Sequence, residues 1–197
     1  MYNKLILTDC DGVLLDWEYA FNVWMNDRGY ELTGPNLYLI ANRYGIPSNV
    51  AKDCVKLFNE SAAIGFLPPL RDAMYYVKKI HEEYGYIFKV ITSLSTNSYA
   101  GALRRRNLKK LFGTAIDDVI CLDTGASKGE ALSPYKDSGV LWIEDNCQNA
   151  EAGAELGLNS VIVEHGHNMT YGTKTQTHTK DIPLVKNWRE IYEMVRG

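Results

Sequence analysis

A short apolar run, Leu5-Ile6-Leu7-Thr8, stops abruptly at Asp9-Cys10-Asp11-Gly12. A run of this length bounded by a turn signal reads as a buried strand. The two aspartates then stand at i and i+2 just past a strand end. Like charges so placed disfavour joint ionisation unless a cation lies between them. Asp-x-Asp-Gly is also an ordinary turn that caps a helix. The motif therefore gains meaning only from what the rest of the chain brings beside it.

Four further strands are predicted: Ile87 to Ile91, ending at Thr92-Ser93; Val119 to Leu122; Val140 to Ile143, ending at Glu144-Asp145; and Ser160 to Val163. Helical patterns separate them. One opens at Pro68-Pro69 with Leu70, Met74, Val77 and Ile80 on its apolar side and closes near Gly85. Others run from Asn97 to Leu111, from Lys128 to Leu132, from Asn149 to Leu156 before Gly157, and from Lys186 to Val195. Strands alternating with helices imply a parallel sheet covered on both faces, and these strands are the continuous apolar runs such a sheet needs. Ligands of such sheets bind beyond the C-terminal strand ends. Asp9, Asp11, Thr92, Ser93, Glu144 and Asp145 all fall there.

Residues 14–67 read differently. Trp17, Tyr19, Phe21, Val23 and Trp24 make a dense aromatic stretch, and Gly34-Pro35 and Gly45-Ile46-Pro47 break the remainder of the segment into short helices with no strand. The expected fold is a Rossmann-like α/β core, residues 1–13 and 68–197, with a small helical cap, residues 14–67, inserted after the first strand. The aromatics are expected to form the cap's own small core, with the alternative that one or two face the site and stack on a flat group.

Composition bounds the rest. A chain of 197 residues with 46% hydrophobic and 23% charged residues is ordinary for a globular domain. A net charge of −3 gives no whole-molecule pull toward nucleic acid or anionic membrane. No stretch reaches the ~20 apolar residues of a membrane span, and the first apolar run is too short for a signal sequence. Cys10, Cys54, Cys121 and Cys147 are too scattered for a zinc knuckle or a disulfide framework, which suits reduced thiols in a cytoplasmic protein.

Asp9, Asp11 and Asp145 are three hard oxygen ligands at one sheet edge, the donor set Mg²⁺ takes together with water and phosphate. Thr92 and Ser93 can hold phosphate oxygens through hydroxyls and backbone N–H groups, or simply cap the next helix. Lys128 can offset the charge of a phosphate and of Asp9, or stand in solvent as most lysines do.

In this order and spacing, LILTDCDGVLLD (residues 5–16), VITS (90–93), Lys128 and VLWIEDN (140–146) resemble the four motifs of the haloacid dehalogenase-like hydrolase superfamily. The resemblance implies a Mg²⁺-dependent phosphatase acting on a small phosphate monoester. It makes Asp9 the nucleophile and Asp11 the general acid, then base. Asp9, the backbone carbonyl of Asp11, and Asp145 would hold Mg²⁺. Thr92, Ser93 and Lys128 would hold the phosphoryl group, and Glu144 and Asn149 would support Asp145 or a metal-bound water. Asn149 stands where the family pattern often has aspartate, which implies altered metal affinity. The dehalogenases of the superfamily lack the second aspartate, so Asp11 favours phosphate chemistry. DCDGVLLD and FLPPLRDAMYYVKKI (66–80) are loosely similar to 5′(3′)-deoxyribonucleotidases, which puts nucleotides first among substrates.

Two competing functions stay open. Arg104-Arg105-Arg106 with Lys109 and Lys110 is expected to be a solvated helix face, but at the mouth of the site it would guide a nucleic-acid end to a polynucleotide 3′-phosphatase. A phospholigand-binding protein without turnover is the other, opposed by retention of Asp9, Asp11, Lys128 and Asp145 together. His165 and His167 are read as loop histidines, because no third ligand of matching spacing accompanies them. The Thr-rich segment from Thr170 to Lys180, with His178, is expected to be a mobile loop.

Overall fold

The computed structural model describes residues 4–169 and 181–197. The expected mobile loop and His178 lie outside the described residues.

The elements run in the order β1 (Leu5–Thr8), α1 (Trp17–Asn26), α2 (Ile40–Tyr44), α3 (Ser48–Asn59), α4 (Ala73–Tyr84), β2 (Ile87–Ser93), α5 (Ser98–Phe112), β3 (Ile116–Leu122), α6 (Gly129–Leu132), β4 (Leu141–Glu144), α7 (Cys147–Glu155), β5 (Asn159–Val163), β6 (Leu184–Val185) and α8 (Trp188–Arg196). All strands join one parallel sheet in the order β3-β2-β1-β4-β5-β6. This is the expected Rossmann-like α/β architecture with one strand more than the sequence suggested. β6 has only two residues, too few to show a period. It forms because Ile162 N–H donates to Pro183 O at 2.8 Å and Glu164 N–H to Val185 O at 2.7 Å, which covers the outer edge of β5.

Successive residues of β1 enter opposite layers, as the strand period requires. Ile6 joins Phe88, Val90, Ile143, Val163 and Trp188 on one side. Leu7 joins Ile91, Leu132, Tyr135 and Trp142 on the other. β1 pairs with β2 and β4, so its end is flanked by theirs: Thr8 lies opposite Val90 and Ile143. That register places Asp9, Thr92 and Glu144-Asp145 side by side. Trp188 of α8 locks the turn after β1, its fully buried Nε1–H donating to Val13 O at 2.8 Å.

Two segments, Leu14–Asp16 after β1 and Pro68–Leu70 before α4, are stitched together. Asp16 N–H donates to Pro68 O and Leu70 N–H to Leu14 O, each at 2.9 Å. Between them α1 begins at an Asp16 cap, whose carboxylate accepts from Tyr19 N–H at 3.0 Å. Trp17 and Trp24 pack on Phe21, and Phe58 of α3 meets Trp17 edge-on at 5.5 Å. Contrary to the expectation of a separate small core, these rings belong to the same apolar cluster as Ile6, Phe88 and Val90 of the sheet. Tyr19 points outward instead, 60% exposed.

Candidate active site

A cleft of about 620 Å³ opens at the C-terminal ends of β1, β2 and β4, walled on the far side by Trp17, Tyr38 and Arg43. A larger hollow of about 710 Å³ lies at the opposite sheet edge, near Lys4, Ser138, Asn159 and Pro183. Among the described residues, the cluster of metal-competent side chains is at the first cleft: one oxygen each of Asp9, Glu144 and Asp145 lie within 4.8 Å of one another.

The parallel ladder itself places Asp9, whose N–H donates to Ile143 O at 2.8 Å. Its Oδ1 accepts from Cys10 N–H at 2.6 Å, and its Oδ2 lies 2.7 Å from Lys128 Nζ. Lys128 is buried and bridges to Glu144 Oε1 at 2.6 Å. Glu144 is wholly enclosed, and both its oxygens are used. Oε1 also accepts from Asn149 Nδ2 at 2.8 Å, and Oε2 accepts from the N–H groups of Asp145 and Asn146 at 2.6 and 2.7 Å. A carboxylate so saturated has little left for a metal. Glu144 thus anchors Lys128, the Asp145 backbone and the start of α7, and Asn149 braces Glu144.

Charge balance is set by these contacts. With all three ionised, Asp9, Glu144 and Asp145 would face the Lys128 cation with two negative charges in excess, and the site resists that state. Burial holds Asp9 up at about 7 against the ordinary 3.8; Lys128 opposes the rise, while Glu144 and Asp11 add to it. Burial, then the charges of Glu144 and Asp9, hold Asp145 well above the usual range. Burial pushes Glu144 up as well, but Lys128 and the Asn146 N–H outweigh it and leave the group below its ordinary value. Lys128 is also desolvated, yet its two carboxylates keep it charged. Carboxylate oxygens, a twofold charge deficit and room for water suit a small hard dication such as Mg²⁺. Gly12 permits the close approach. A Cβ there would meet Asp145 Oδ2 at 2.5 Å, and its φ of +74° is one that glycine adopts at least cost.

Thr92 is 1% exposed and lines the cleft, and its Oγ1 has no hydrogen-bond partner. A buried hydroxyl without a partner is costly, so an arriving acceptor such as a phosphate oxygen would satisfy it. Ser93 differs. Its hydroxyl donates to Ala126 O at 2.9 Å, so that Oγ ties the β2 end to the loop before Lys128.

No family model matches the sequence. An uncharacterized 32.4 kDa protein of enterobacteria phage T4 is 27% identical over 161 residues, 77% of this chain; the chain spans 57% of that protein's length. Among solved structures, a haloacid dehalogenase-like family hydrolase from Streptococcus pneumoniae superposes with a TM-score of 0.62 at 15% identity, covering 97% of each chain. The D,D-heptose 1,7-bisphosphate phosphatase of Burkholderia thailandensis gives 0.60 at 10% identity over 99% of each. Protein tyrosine kinase A of Mycobacterium tuberculosis gives 0.65 at 16% identity over 98% of this chain and 97% of its own. The chain has the haloacid dehalogenase-like fold.

Within the haloacid dehalogenase-like fold, Asp9, Thr92, Lys128 and Asp145 converge on one cleft, with Glu144 and Asn149 behind them. Asp11 lines the same cleft, but its carboxylate is held by Arg104: Nη1 donates to Oδ1, and Nη2 to Oδ2 at 3.0 Å. That corrects the expectation of a solvated basic face. Arg105, Arg106, Lys109 and Lys110 are exposed, whereas Arg104 is fully enclosed. The signal was in the helix period, because Arg104 lies midway between Ala100 and Leu108 on the buried side of α5.

The histidines are also part of the cleft wall. His165 Nε2 lies 2.6 Å from Gly12 O, and the two imidazoles stack at 5.5 Å. His167 Nε2 stands 3.6 Å from Asp145 Oδ2, and its ring meets Tyr38 at 5.2 Å. Burial, and then His165, lower His167 to about 4, so it faces Asp145 uncharged. Asn168 adds a further brace, its Nδ2 donating to Asp145 O at 2.7 Å. Their place just past β5, on the same edge as Asp9, was the available clue.

Proposed function

We propose that this protein is a phosphatase that hydrolyses a small phosphate monoester through an aspartyl-phosphate on Asp9. The observation that carries the reading is the pairing of Asp9 with buried Lys128 next to an unpartnered Thr92 hydroxyl. A nucleophilic carboxylate, a fixed cation and a phosphate-seeking donor then share one water-poor corner. Fold alone does not give activity, and the kinase among the structural relatives makes that plain.

The chemistry divides hydrolysis into two displacements. A carboxylate oxygen of Asp9 attacks phosphorus, the bond to the leaving oxygen breaks, and Asp11, which must have taken up a proton in the enzyme–substrate complex, supplies that oxygen's proton. Water then attacks phosphorus, gives a proton to Asp11, and releases phosphate with the Asp9 carboxylate restored. Thr92 donates to a non-bridging phosphoryl oxygen, and Lys128 offsets charge on Asp9 and the phosphoryl group. Asp9 and Asp145, with the Asp11 carbonyl, would hold Mg²⁺. That ion would neutralise charge on the phosphoryl oxygens. Residues 14–67 serve as a cap whose paired crossings at Leu14–Asp16 and Pro68–Leu70 form the hinge, excluding water when the substrate's organic part lies between Trp17 and Tyr38. Those flat side chains favour a planar leaving group, and a nucleotide meets that description.

The test is hydrolysis of p-nitrophenyl phosphate with Mg²⁺ and with EDTA, together with acid-quench trapping of labelled protein. Turnover abolished by chelation and a label that maps to Asp9 are expected. No turnover with any small phosphate, and no label, would leave a phospholigand-binding protein.

A further inference from the structure

Asp9 and Asp11 are two residues apart, yet each has its own cation. Lys128 serves Asp9, and Arg104 serves Asp11. Arg104 rises from α5 into the turn after β1 with no exposed surface. Both its terminal nitrogens donate to Asp11, and Nη1 also donates to Cys10 Sγ at 2.8 Å. A guanidinium fork matched to a carboxylate fixes the plane of that carboxylate as well as its distance. Arg104 does not line the cleft, whereas Asp11 does.

We infer that Arg104 is a positioning residue, which sets the rotamer and plane of Asp11 for proton transfer and affects turnover only through Asp11. The inference rests on reading Asp11 as the acid and base of the reaction. A buried ion pair with a purely structural role would look similar in a static structure, but it would behave differently in a mutant cycle. Misplacing a general acid costs most when the leaving oxygen is strongly basic, as in an alkyl phosphate. It costs least with p-nitrophenolate, which departs without a proton.

The experiment is a double-mutant cycle read in single turnover. Arg104→Lys keeps the charge and gives up the fork. Leaving-group release from an alkyl phosphate should slow by roughly tenfold or more, and release from p-nitrophenyl phosphate by no more than about threefold. In an Asp11→Asn background, adding Arg104→Lys should change neither rate further, since both act through one group. Equal losses on the two esters, or losses that add in the Asp11→Asn background, overturn the inference. Should Arg104→Lys fail to fold, Cys10→Ala replaces it, removing the sulfur that accepts from Nη1 while leaving the ion pair. A smaller loss confined to the alkyl ester supports the inference, and an unselective loss or none overturns it. Failure of the underlying reading shows separately, as Asp11→Asn alone slowing release from the two esters equally or not at all.

Discussion

Lys128 Nζ lies 2.7 Å from Asp9 Oδ2 and is 2% exposed, so the cation of this ion pair is nearly cut off from solvent. Glu144 shares the same ammonium at 2.6 Å. Removing the lysine leaves two buried carboxylates without their counter-charge. Lys128→Met should therefore destabilise the fold by about 3–5 kcal/mol, measured by urea unfolding. In protein that remains folded, turnover should drop by roughly 10²-fold. Wild-type stability in the mutant would show that Asp9 and Glu144 are compensated some other way.

The sheet, and the gathering of most candidate site residues at one cleft, could be read from the chain because their causes are local. β1, β2, β4 and β5 are continuous apolar runs, and in a parallel sheet their C-terminal ends meet at one edge wherever the strands sit in order. What could not be read depended on contacts distant in sequence. Arg104 meets Asp11 across 93 residues, and His165 meets Gly12 across 153. Ser93 reads as equivalent to Thr92, and both line the cleft, yet successive residues of a strand point opposite ways: the Ser93 hydroxyl is taken up by Ala126 O, and of the two only Thr92 keeps an unpartnered one. β6 owes its existence to pairing with β5 and carries no pattern of its own.

Gly12 and Asp145 give a steric test of the metal site. Gly12→Ala puts a Cβ 2.5 Å from Asp145 Oδ2 at a φ of +74°. Stability should fall by more than about 1 kcal/mol. Asp145 should also be displaced, so the Mg²⁺ needed for half-activity rises. Asp145→Ala should raise it at least roughly tenfold, having lost a hard ligand outright. An unchanged magnesium titration in Asp145→Ala would remove Asp145 from the ligand set.

The charge on Asp9 makes a pH prediction with a definite sign. Its folded value of about 7 is above its ordinary 3.8. Between those values the folded protein keeps a proton that the unfolded chain has released. Stability of chelated protein should therefore decline as pH rises through that window, and Asp145 acts in the same direction. Glu144 contributes oppositely, and its effect is confined to pH below its ordinary 4.5. Since a metal binds the deprotonated carboxylate, Mg²⁺ affinity should climb from roughly pH 6 to pH 8, with protons released on binding. Titration calorimetry in buffers of different ionisation enthalpy reads both effects. Affinity that is flat across that range, with no proton release, would contradict the assignment of Asp9 as a ligand.

Asp11 carries the most detailed prediction. Asp11→Asn preserves shape but not proton transfer, and its amide can present only one acceptor to Arg104, which otherwise donates to both carboxylate oxygens. Aspartyl-phosphate formation should slow by roughly 10²-fold or more with an alkyl or nucleoside monophosphate, and far less with p-nitrophenyl phosphate. The comparison requires single-turnover release, because water attack in the second step also uses Asp11 and would mask the difference at steady state. With the activated ester, the mutant should form phosphoenzyme at close to the wild-type rate and then hold it, so that labelled Asp9 accumulates. The same burst chased with unlabelled substrate gives the breakdown rate directly. Equal single-turnover losses on both esters, with no accumulated intermediate, would mean that Asp11 only shapes the turn after β1 and that its pairing with Arg104 is structural.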